Sequence, residues 1–350
     1  MTAPTTLRTA ADLARAGLAP AGDLAALEAV AARYAVAVTP AMAELIDPAD
    51  PADPIARQFV PTAAELIGAP GERADPIGDL AHSPVEGIVH RYPDRVLLKP
   101  THTCAVYCRF CFRREMVGPE GLGALTGAAL DAAMAYIAER PQIWEVILTG
   151  GDPLVLSPRR IGELIERLGA IEHVKVVRIH TRIPAIDPEA ITPQLVAALK
   201  SPRQAVWVAL HANHPRELTP AARAACARLI DAGFPMVSQS VLLRGVNDDV
   251  DTLSALMRAF VETRIKPYYL HQGDLAPGAG HLRVDLAEGQ ALMRAMRGDV
   301  SGLAQPTFVL DIPGGHGKAP VGPVYHHPAE DGGVRIEDPQ GVRHAYPPVD

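Results

Sequence analysis

The chain has 350 residues, of which 48% are hydrophobic and 21% charged, and its formal net charge is −7. This composition is typical of a globular protein with a large core, and the negative charge does not suit a surface for nucleic acid or anionic membranes. We expect neither a signal peptide nor a membrane span, because no long apolar run occurs. Four cysteines without a paired framework predict a reducing compartment, the cytoplasm.

The predicted elements change character near residue 95. Residues 1–90 read as helices and linkers, with helical spacing over 10–34, a break at 20–22 and a turn-rich run at 47–54. Beyond them, short apolar strands alternate with amphipathic helices. The predicted strands are 96–99, 145–149, 174–180, 205–211, 236–241 and 267–270. The predicted helices are 127–139, 158–168, 193–199, 220–232, 250–261 and 286–296.

This alternation predicts an α/β fold with a parallel sheet, either open and doubly wound or closed as a barrel. We divide the chain into an N-terminal helical extension and linker (1–90), a core (91–300) and a C-terminal segment (301–350). In both kinds of sheet the chemistry gathers at the carboxyl ends of the strands. The polar motifs fall there: the cysteine segment 104–111, 149–153, 180–182, His211, Gln239 and 271–274.

Three of the four cysteines lie within eight positions, as Cys104, Cys108 and Cys111 in the pattern C-x3-C-x2-C. Three thiolates can hold three irons of a [4Fe–4S] cluster and leave the fourth iron open to a small molecule. The alternatives are inert thiols or a zinc site with His102 as the fourth ligand, although zinc sites usually have a second cysteine pair. Phe110 suits stacking on an adenine, or is an ordinary loop aromatic.

The C-terminal segment 311–320 carries Lys318 in a glycine-rich loop after an apolar strand, 307–310. A lysine beside flexible backbone can form a Schiff base with an aldehyde cofactor, and glycines make room for a planar ring. On spacing alone, an exposed surface lysine is the simpler interpretation.

Several separate motifs, in order along the chain, resemble the lysine 2,3-aminomutase family, the pyridoxal-phosphate branch of radical S-adenosylmethionine enzymes. These motifs are 90–95, 104–114, 211–215, 239–248, 267–274 and 311–320. The resemblance implies a partial (β/α)6 TIM-like barrel with an N-terminal helical extension. It implies three cofactors: a [4Fe–4S] cluster, S-adenosyl-L-methionine and pyridoxal 5′-phosphate.

The resemblance also assigns roles to particular residues. The three cysteines of the C-x3-C-x2-C pattern would be the iron ligands. The residues that would contact S-adenosylmethionine are Gly150, Gly151, Asp152, His211 and Gln239. On its own, however, the Gly-Gly-Asp-Pro segment that begins at Gly150 is only a turn signal.

The same resemblance places the second cofactor and the substrate. Lys318 would be the catalytic lysine that binds pyridoxal phosphate, and Arg91, with Arg95 beside it, would bind the cofactor's phosphate. Arg113 would pair with the substrate carboxylate, since a guanidinium fork suits a carboxylate. Asp274 and Asp311 would hold the distal ammonium of lysine, because a buried cation needs compensating charge.

The implied activity is an isomerase that moves the α-amino group of L-lysine to the β-carbon, giving β-lysine. Its partners would be free L-lysine and a one-electron reductant such as flavodoxin or ferredoxin, with no nucleic acid and no membrane. The longer clostridial-type members carry extra cysteines for a zinc between subunits, whereas only Cys226 is left over here. A homo-oligomer is therefore left open. We read Cys226 as a buried apolar residue, and His326 and His327 as surface residues.

Three alternatives stay open at this point. The β-lysine could serve the modification of elongation factor P, as in the shorter bacterial members of the family, whose length is similar to that of this chain. The substrate could be glutamate, although two aspartates would repel its distal carboxylate. The chain could also be a non-catalytic iron–sulfur electron carrier, which would need neither Lys318 nor an open iron.

Overall fold

The computed structural model describes residues 5–118, 123–329 and 332–347. Its N-terminal part consists of short helices joined by linkers, as the sequence predicts. Thr9 caps the first helix by accepting from the backbone N–H of Asp12, and the chain breaks at Pro20 before the second. These helices are α1 (Ala10–Arg15), α2 (Leu24–Ala31), α3 (Pro40–Leu45) and α4 (Ala56–Phe59).

A single nine-stranded sheet follows, and its strand order is the order along the chain. The strands are β1 (Ile88–Tyr92), β2 (Arg95–Thr101), β3 (Glu145–Gly150), β4 (Val176–Thr181), β5 (Ala205–His211), β6 (Met236–Val241), β7 (Lys266–His271), β8 (Thr307–Ile312) and β9 (Gly317–Pro320). Strands β2 to β8 are parallel, while β1 and β9 are antiparallel at the two edges. The six predicted strands are therefore confirmed, and the apolar strand predicted at 307–310 is β8, the seventh parallel strand.

Helices connect the parallel strands. They are α5 (Gly127–Ala138), α6 (Pro158–Gly169), α7 (Ile183–Ile186), α8 (Pro193–Ala198), α9 (Pro220–Asp231), α10 (Val250–Glu262) and α11 (Leu286–Ala295). Several begin at a Ser-Pro or Thr-Pro pair, in which the hydroxyl caps the helix and proline fills the first position. The six predicted helices are confirmed within two residues at each end, and the one-turn helix α7 is additional.

The two edges of the sheet approach each other, so that the sheet is a nearly closed barrel. The backbone N–H of Lys318 on β9 donates to the Tyr92 hydroxyl on β1 at 2.7 Å. The apolar side chains of the strands and of the inner helix faces form one continuous core. The predicted partial barrel with an N-terminal helical extension is thus confirmed.

The predicted boundary at residue 90 falls inside strand β1 (Ile88–Tyr92). Beyond the barrel, the C-terminal residues form a small antiparallel sheet that the sequence does not predict. Its strands are β10 (His326–Pro328), β11 (Val334–Glu337) and β12 (Arg343–Tyr346). His326 is exposed and His327 pairs with Glu337 at 3.0 Å. None of the described helices is both long and apolar enough to cross a membrane.

Candidate active site

The three clustered cysteines lie in the loop that follows β2, and they line one cavity. Its other walls come from the same loop and from the N-terminal extension, namely Tyr34, Ala35, Val106, Tyr107, Arg109, Arg114 and Val117. Burial raises the pKa of the Cys104 thiol well above its ordinary value and that of Cys111 to about 11. A neutral pH would therefore leave these thiols protonated unless positive charge, such as that of bound iron, stabilises the thiolates.

A guanidinium lies against this cysteine set. Arg182, the residue after β4, donates from Nη1 to the Cys108 sulfur at 2.9 Å. In the part of the chain that the structure describes, no three His, Cys, Asp or Glu side chains come together around a point where one metal ion could bind. The three predicted cysteines therefore line one cavity without enclosing a site for a single metal ion, and a cation lies beside one of them.

The glycine-rich turn after β3 packs against the base of the cysteine loop. A Cβ on Gly151 would lie 2.1 Å from the Thr103 carbonyl oxygen, and one on Gly150, whose φ is +112°, would lie 2.5 Å from the Thr101 carbonyl oxygen. The next carboxylate, Asp152, is buried and accepts from the Thr181 hydroxyl at 2.8 Å. Contact of this turn with S-adenosylmethionine stays a prediction, and packing against the cysteine loop is a sufficient reason for both glycines.

Aromatic and imidazole groups line the barrel interior beside the cysteines. The rings of Phe110 and His211 are stacked with centroids 5.5 Å apart, and His211 Nε2 is buried without a hydrogen-bond partner. Burial holds the pKa of His211 well below its usual range, so the ring is neutral. Gln239 on β6 lies 3.5 Å from His180 on β4. An unpartnered ring nitrogen next to a stacked aromatic suits a planar, hydrogen-bonding ligand.

Lys318 on β9 points into the barrel rather than to solvent. Its Nζ donates to Asp311 Oδ2, and it lies 3.3 Å from Nδ1 of His271 at the end of β7. Burial alone would raise the pKa of Asp311, but His271 and the Lys318 ammonium together hold it well below its usual range. The interpretation of Lys318 as an exposed surface lysine is therefore wrong, and Asp311 is a carboxylate that binds an ammonium.

Asp274 lies near this pair, in the loop after β7. Burial and the neighbouring Asp311 carboxylate raise the pKa of Asp274 to about 7. None of the described residues donates a hydrogen bond to its side chain. The two acids that the sequence predicts at this site are therefore close enough to repel each other, and a cation between them would relieve that repulsion.

Sequence reasoning missed Asp79, which links two of the predicted arginines. Arg113 donates from Nη2 to Asp79 Oδ2 at 2.8 Å, and Arg91 donates from Nη2 to Asp79 Oδ1 at 3.1 Å. Burial would raise the pKa of Asp79, but the Arg113 and Arg91 charges lower it below its usual range. A single aspartate in a loop gives no sequence signal, because only the fold brings it to residues 12 and 34 positions away.

Lys99 on β2 was also missed, since it occupies an apolar position of a strand. It is buried, and none of the described residues accepts a hydrogen bond from it. Burial and the nearby Arg113 charge lower the pKa of Lys99. Arg91 retains a buried Nε without a partner. This end of the barrel therefore offers more cationic donors than its own carboxylates use, which suits anionic ligands.

Comparison with known proteins agrees with this arrangement. Residues 98–256 match the model of the Radical SAM superfamily, and residues 293–348 match the model described as Lysine-2,3-aminomutase. The L-lysine 2,3-aminomutase of Acetoanaerobium sticklandii is 43% identical over 311 residues, which is 89% of this chain and 75% of that protein. The chain belongs to the lysine 2,3-aminomutase family. Its radical SAM domain implies a [4Fe–4S] cluster and S-adenosylmethionine.

Two further relatives are less identical to this chain. The L-lysine 2,3-aminomutase of Bacillus subtilis is 39% identical over 89% of this chain and 65% of its own length. The glutamate 2,3-aminomutase of Clostridioides difficile is 36% identical over 85% of this chain and 70% of its own length. A solved radical SAM methyltransferase from Sphaerobacter thermophilus aligns with a TM-score of 0.45 and 20% identity, over 64% of this chain and 68% of that one. Family membership rests on the sequence relatives.

Proposed function

We propose that this protein is an isomerase that converts L-lysine to β-lysine, with a [4Fe–4S] cluster, S-adenosylmethionine and pyridoxal phosphate as cofactors. The observation that carries the proposal is the position of Lys318 with Asp311 and Asp274 at the carboxyl end of the barrel, the end from which the cysteine loop also departs. A lysine that can form a Schiff base with an aldehyde cofactor, and two acids for a second ammonium, are what the rearrangement of a diamino acid needs.

The cluster and S-adenosylmethionine fit the first half of the site. Cys104, Cys108 and Cys111 supply three thiolates around one cavity, and the unpartnered Nε2 of His211 is free to bind the second cofactor, with Gln239 nearby. When bound, this pair of cofactors supplies a 5′-deoxyadenosyl radical that takes a hydrogen atom from the substrate. The chain's own contribution is to keep the reactants in place and to exclude water.

Pyridoxal phosphate fits the second half of the site. Lys318 is its proposed attachment point, and Arg91, whose Nε lacks a partner, is the proposed phosphate ligand. Arg113 is the proposed ligand of the substrate carboxylate. Its fork is held in a fixed orientation by Asp79, so the rotamer is ordered before the substrate arrives.

The two acids favour lysine over glutamate as the substrate. Asp311 already holds an ammonium, that of Lys318, and so it has the geometry for a primary amine. With Lys318 bonded to the cofactor, Asp311 would lose its present ammonium partner, and Asp311 and Asp274 would both be available to bind the distal ammonium of free lysine. The distal carboxylate of glutamate would instead meet two carboxylates, and it would be repelled.

The proposal includes a one-electron donor such as flavodoxin or ferredoxin, since the cluster must be brought to its reduced state before it could pass an electron to S-adenosylmethionine. It places the protein in the cytoplasm, where such donors and free lysine are found. We propose no nucleic-acid or membrane partner.

The test is a reaction in strict anoxia with reconstituted protein, S-adenosylmethionine, pyridoxal phosphate, dithionite and L-lysine, followed by mass spectrometry for β-lysine. We expect β-lysine from L-lysine, and no β-glutamate from a parallel reaction with L-glutamate. Formation of 5′-deoxyadenosine without β-lysine would reject lysine as the substrate and retain the radical chemistry.

Two variants make this test specific. Lys318→Ala should abolish β-lysine formation and the visible absorbance of bound pyridoxal phosphate, while the iron content stays unchanged. Lys200→Ala changes a lysine at the opposite, amino-terminal end of the sheet, before β5, and should behave as the unaltered protein. Full activity of Lys318→Ala would contradict the assignment.

A further inference from the structure

We infer that Arg182 is a positioning residue for the iron–sulfur cluster, and that its hydrogen bond to the Cys108 sulfur sets the reduction potential of that cluster. The inference rests on the proposed cluster. It concerns a residue that the sequence places at a strand end without a role.

The contact is direct and shielded from solvent. Arg182 Nη1 donates to Cys108 Sγ at 2.9 Å, and only 6% of the arginine side chain is exposed. The guanidinium carbon lies 4.5 Å from the centre of the Phe59 ring on α4. Among the described residues, no other side chain donates a hydrogen bond to one of the three clustered sulfurs.

The other half of the guanidinium is held by two buried acceptors. Nη2 donates to Glu217 Oε2 and to Gln58 Oε1, both at 2.6 Å. Glu217 is fully buried, and its second oxygen accepts backbone N–H groups from Asn213 at 2.8 Å and His214 at 3.0 Å. The orientation of the Arg182 guanidinium toward Cys108 is therefore fixed by two parts of the chain, the N-terminal extension through Gln58 and the loop after β5 through Glu217.

Nearby arginines do not share this role. Arg109 and Arg114 also line the cysteine cavity, but both donate to the buried Glu65 carboxylate. Their charges are thus paired with an acid of the N-terminal extension. Arg182 differs because one of its nitrogens is directed at a cluster ligand.

Hydrogen bonds to ligand sulfurs and nearby charge are among the features that set the potential of an iron–sulfur cluster. A donor and a positive charge stabilise the reduced cluster, which carries one more electron, over the oxidised one. In a buried site this effect is not screened by water. Arg182 should therefore raise the potential, and Glu217 should partly oppose it.

The experiment compares the reduction potential of the cluster between the reconstituted protein and its variants. Each potential is measured by a redox titration in which electron paramagnetic resonance reports the reduced cluster. Arg182→Gln should make reduction about tenfold less favourable, which is about 59 mV for one electron. Glu217→Gln should shift the potential in the opposite, positive direction, because the arginine charge is then unopposed. Arg182→Lys should fall between Arg182→Gln and the unaltered protein.

The matched control is Arg228→Gln. That arginine also donates to acceptors within the chain, the carbonyl oxygens of Ile191 and Pro188, and it makes no hydrogen bond to the three clustered cysteines. The reduction potential of the cluster in Arg228→Gln should equal that in the unaltered protein. Iron content is measured for every variant, and if Arg182→Gln fails to hold iron, Arg182→Lys and Glu217→Gln carry the comparison.

Opposite shifts for Arg182 and Glu217 variants support the inference, since general damage to the loop would move both in one direction. Unchanged potentials at full iron content, or shifts of the same sign, would overturn it. An unaltered protein that binds no cluster would overturn both this inference and the proposed function. A normal cluster without β-lysine formation would reject the proposed substrate alone.

Discussion

Asp274 is the residue of the site whose charge changes near neutral pH. Its pKa is raised to about 7 by burial and by Asp311, whereas Asp311 itself is ionised over the whole working range. The imidazoles of His180 and His271 have lowered pKa values and stay neutral above pH 6.5, and the Lys318 ammonium and Arg113 are the cations that face the group. Ionisation of Asp274 therefore controls the negative charge offered to a substrate ammonium.

We predict that kcat/KM for L-lysine rises between pH 6 and pH 8 with an apparent pKa near 7. The lysine ammonium remains charged in this range, so binding strengthens as Asp274 loses its proton. Asp274→Asn should lower kcat/KM at least about tenfold at pH 8, a loss of about 1.4 kcal/mol, and should flatten the rise. Asp231→Asn, which alters an exposed acid paired with Arg264, should keep the full profile. A rise that persists in Asp274→Asn would assign it to another group.

Asp79 gives a prediction about stability. It is buried between Arg91 and Arg113, so Asp79→Asn leaves two cations less compensated and should lower the free energy of unfolding by about 3–5 kcal/mol at pH 7. The lowered pKa means that this contribution is complete above the ordinary aspartate value and fades as the pH falls below it. Denaturant unfolding of the unaltered protein and of Asp79→Asn at pH 7 and pH 3 measures the loss of stability and its decrease at low pH. Asp94→Asn, which alters a solvent-accessible pair with Arg95, should change the free energy of unfolding by less than about 1 kcal/mol.

At the residue scale, the sequence could indicate groups that carry a motif. Cys104, Cys108 and Cys111 stand in one spaced pattern, whereas Lys318 was indicated by the family resemblance, because its glycine-rich loop alone favoured an exposed lysine. Asp79 could not be found in this way, because its partners come from distant parts of the chain and a lone loop aspartate has many ordinary uses. The fixed orientation of Arg113 is likewise a property of the assembled barrel opening.

At the scale of elements, the turn after β3 and the cysteine loop after β2 form one packed unit. Gly151 N–H donates to the Thr101 carbonyl at 2.7 Å, and Asp152 N–H donates to the Thr103 carbonyl at 3.0 Å. These bonds extend the pairing of two neighbouring parallel strands beyond their ends. The spacing of the cysteines therefore depends on a turn that lies some 40 residues further along the chain.

We predict that Gly151→Ala displaces the cysteine loop, because the new Cβ would lie 2.1 Å from the Thr103 carbonyl oxygen. Iron content after reconstitution should fall by more than half, while far-UV circular dichroism keeps its barrel signature. Gly162→Ala is the matched control, since its Cβ would meet only Ala198 at 3.8 Å, and alanine in helix α6 should stabilise the protein by about 1 kcal/mol. Equal iron content in both variants would refute the packing role.

At the scale of the whole molecule, alternating strands and helices were sufficient to predict a parallel α/β sheet, and the family resemblance indicated that this sheet is a barrel. Apolar runs such as Val176–Thr181 and amphipathic helices such as Pro158–Gly169 have clear periods and turn residues between them. The C-terminal sheet gave no such signal, because its strands are only three or four residues long and mostly polar. How the sheet edges meet was also not predictable, since that contact joins β1 to β9 through one tyrosine.

That closing contact decides where Lys318 is held. The Tyr92 hydroxyl accepts the Lys318 N–H, and a Cβ on Gly317 would lie 3.1 Å from the same hydroxyl, so β9 packs directly on β1. Tyr92→Phe keeps the ring but leaves the amide without its acceptor, at a cost of about 1–3 kcal/mol. We predict faster hydrogen exchange at the amides of residues 317–319 and weaker retention of pyridoxal phosphate.

Tyr136→Phe is the matched comparison for Tyr92→Phe, because its hydroxyl lies 2.8 Å from His90 Nδ1 and ties helix α5 to β1 without reaching β9. Exchange at the amides of residues 317–319 should stay unchanged in that variant. Protection of β9 that is equal in both would mean that strand pairing with β8 alone positions the lysine. Faster exchange confined to Tyr92→Phe would instead make the last step of barrel closure the step that brings Lys318 to Asp311.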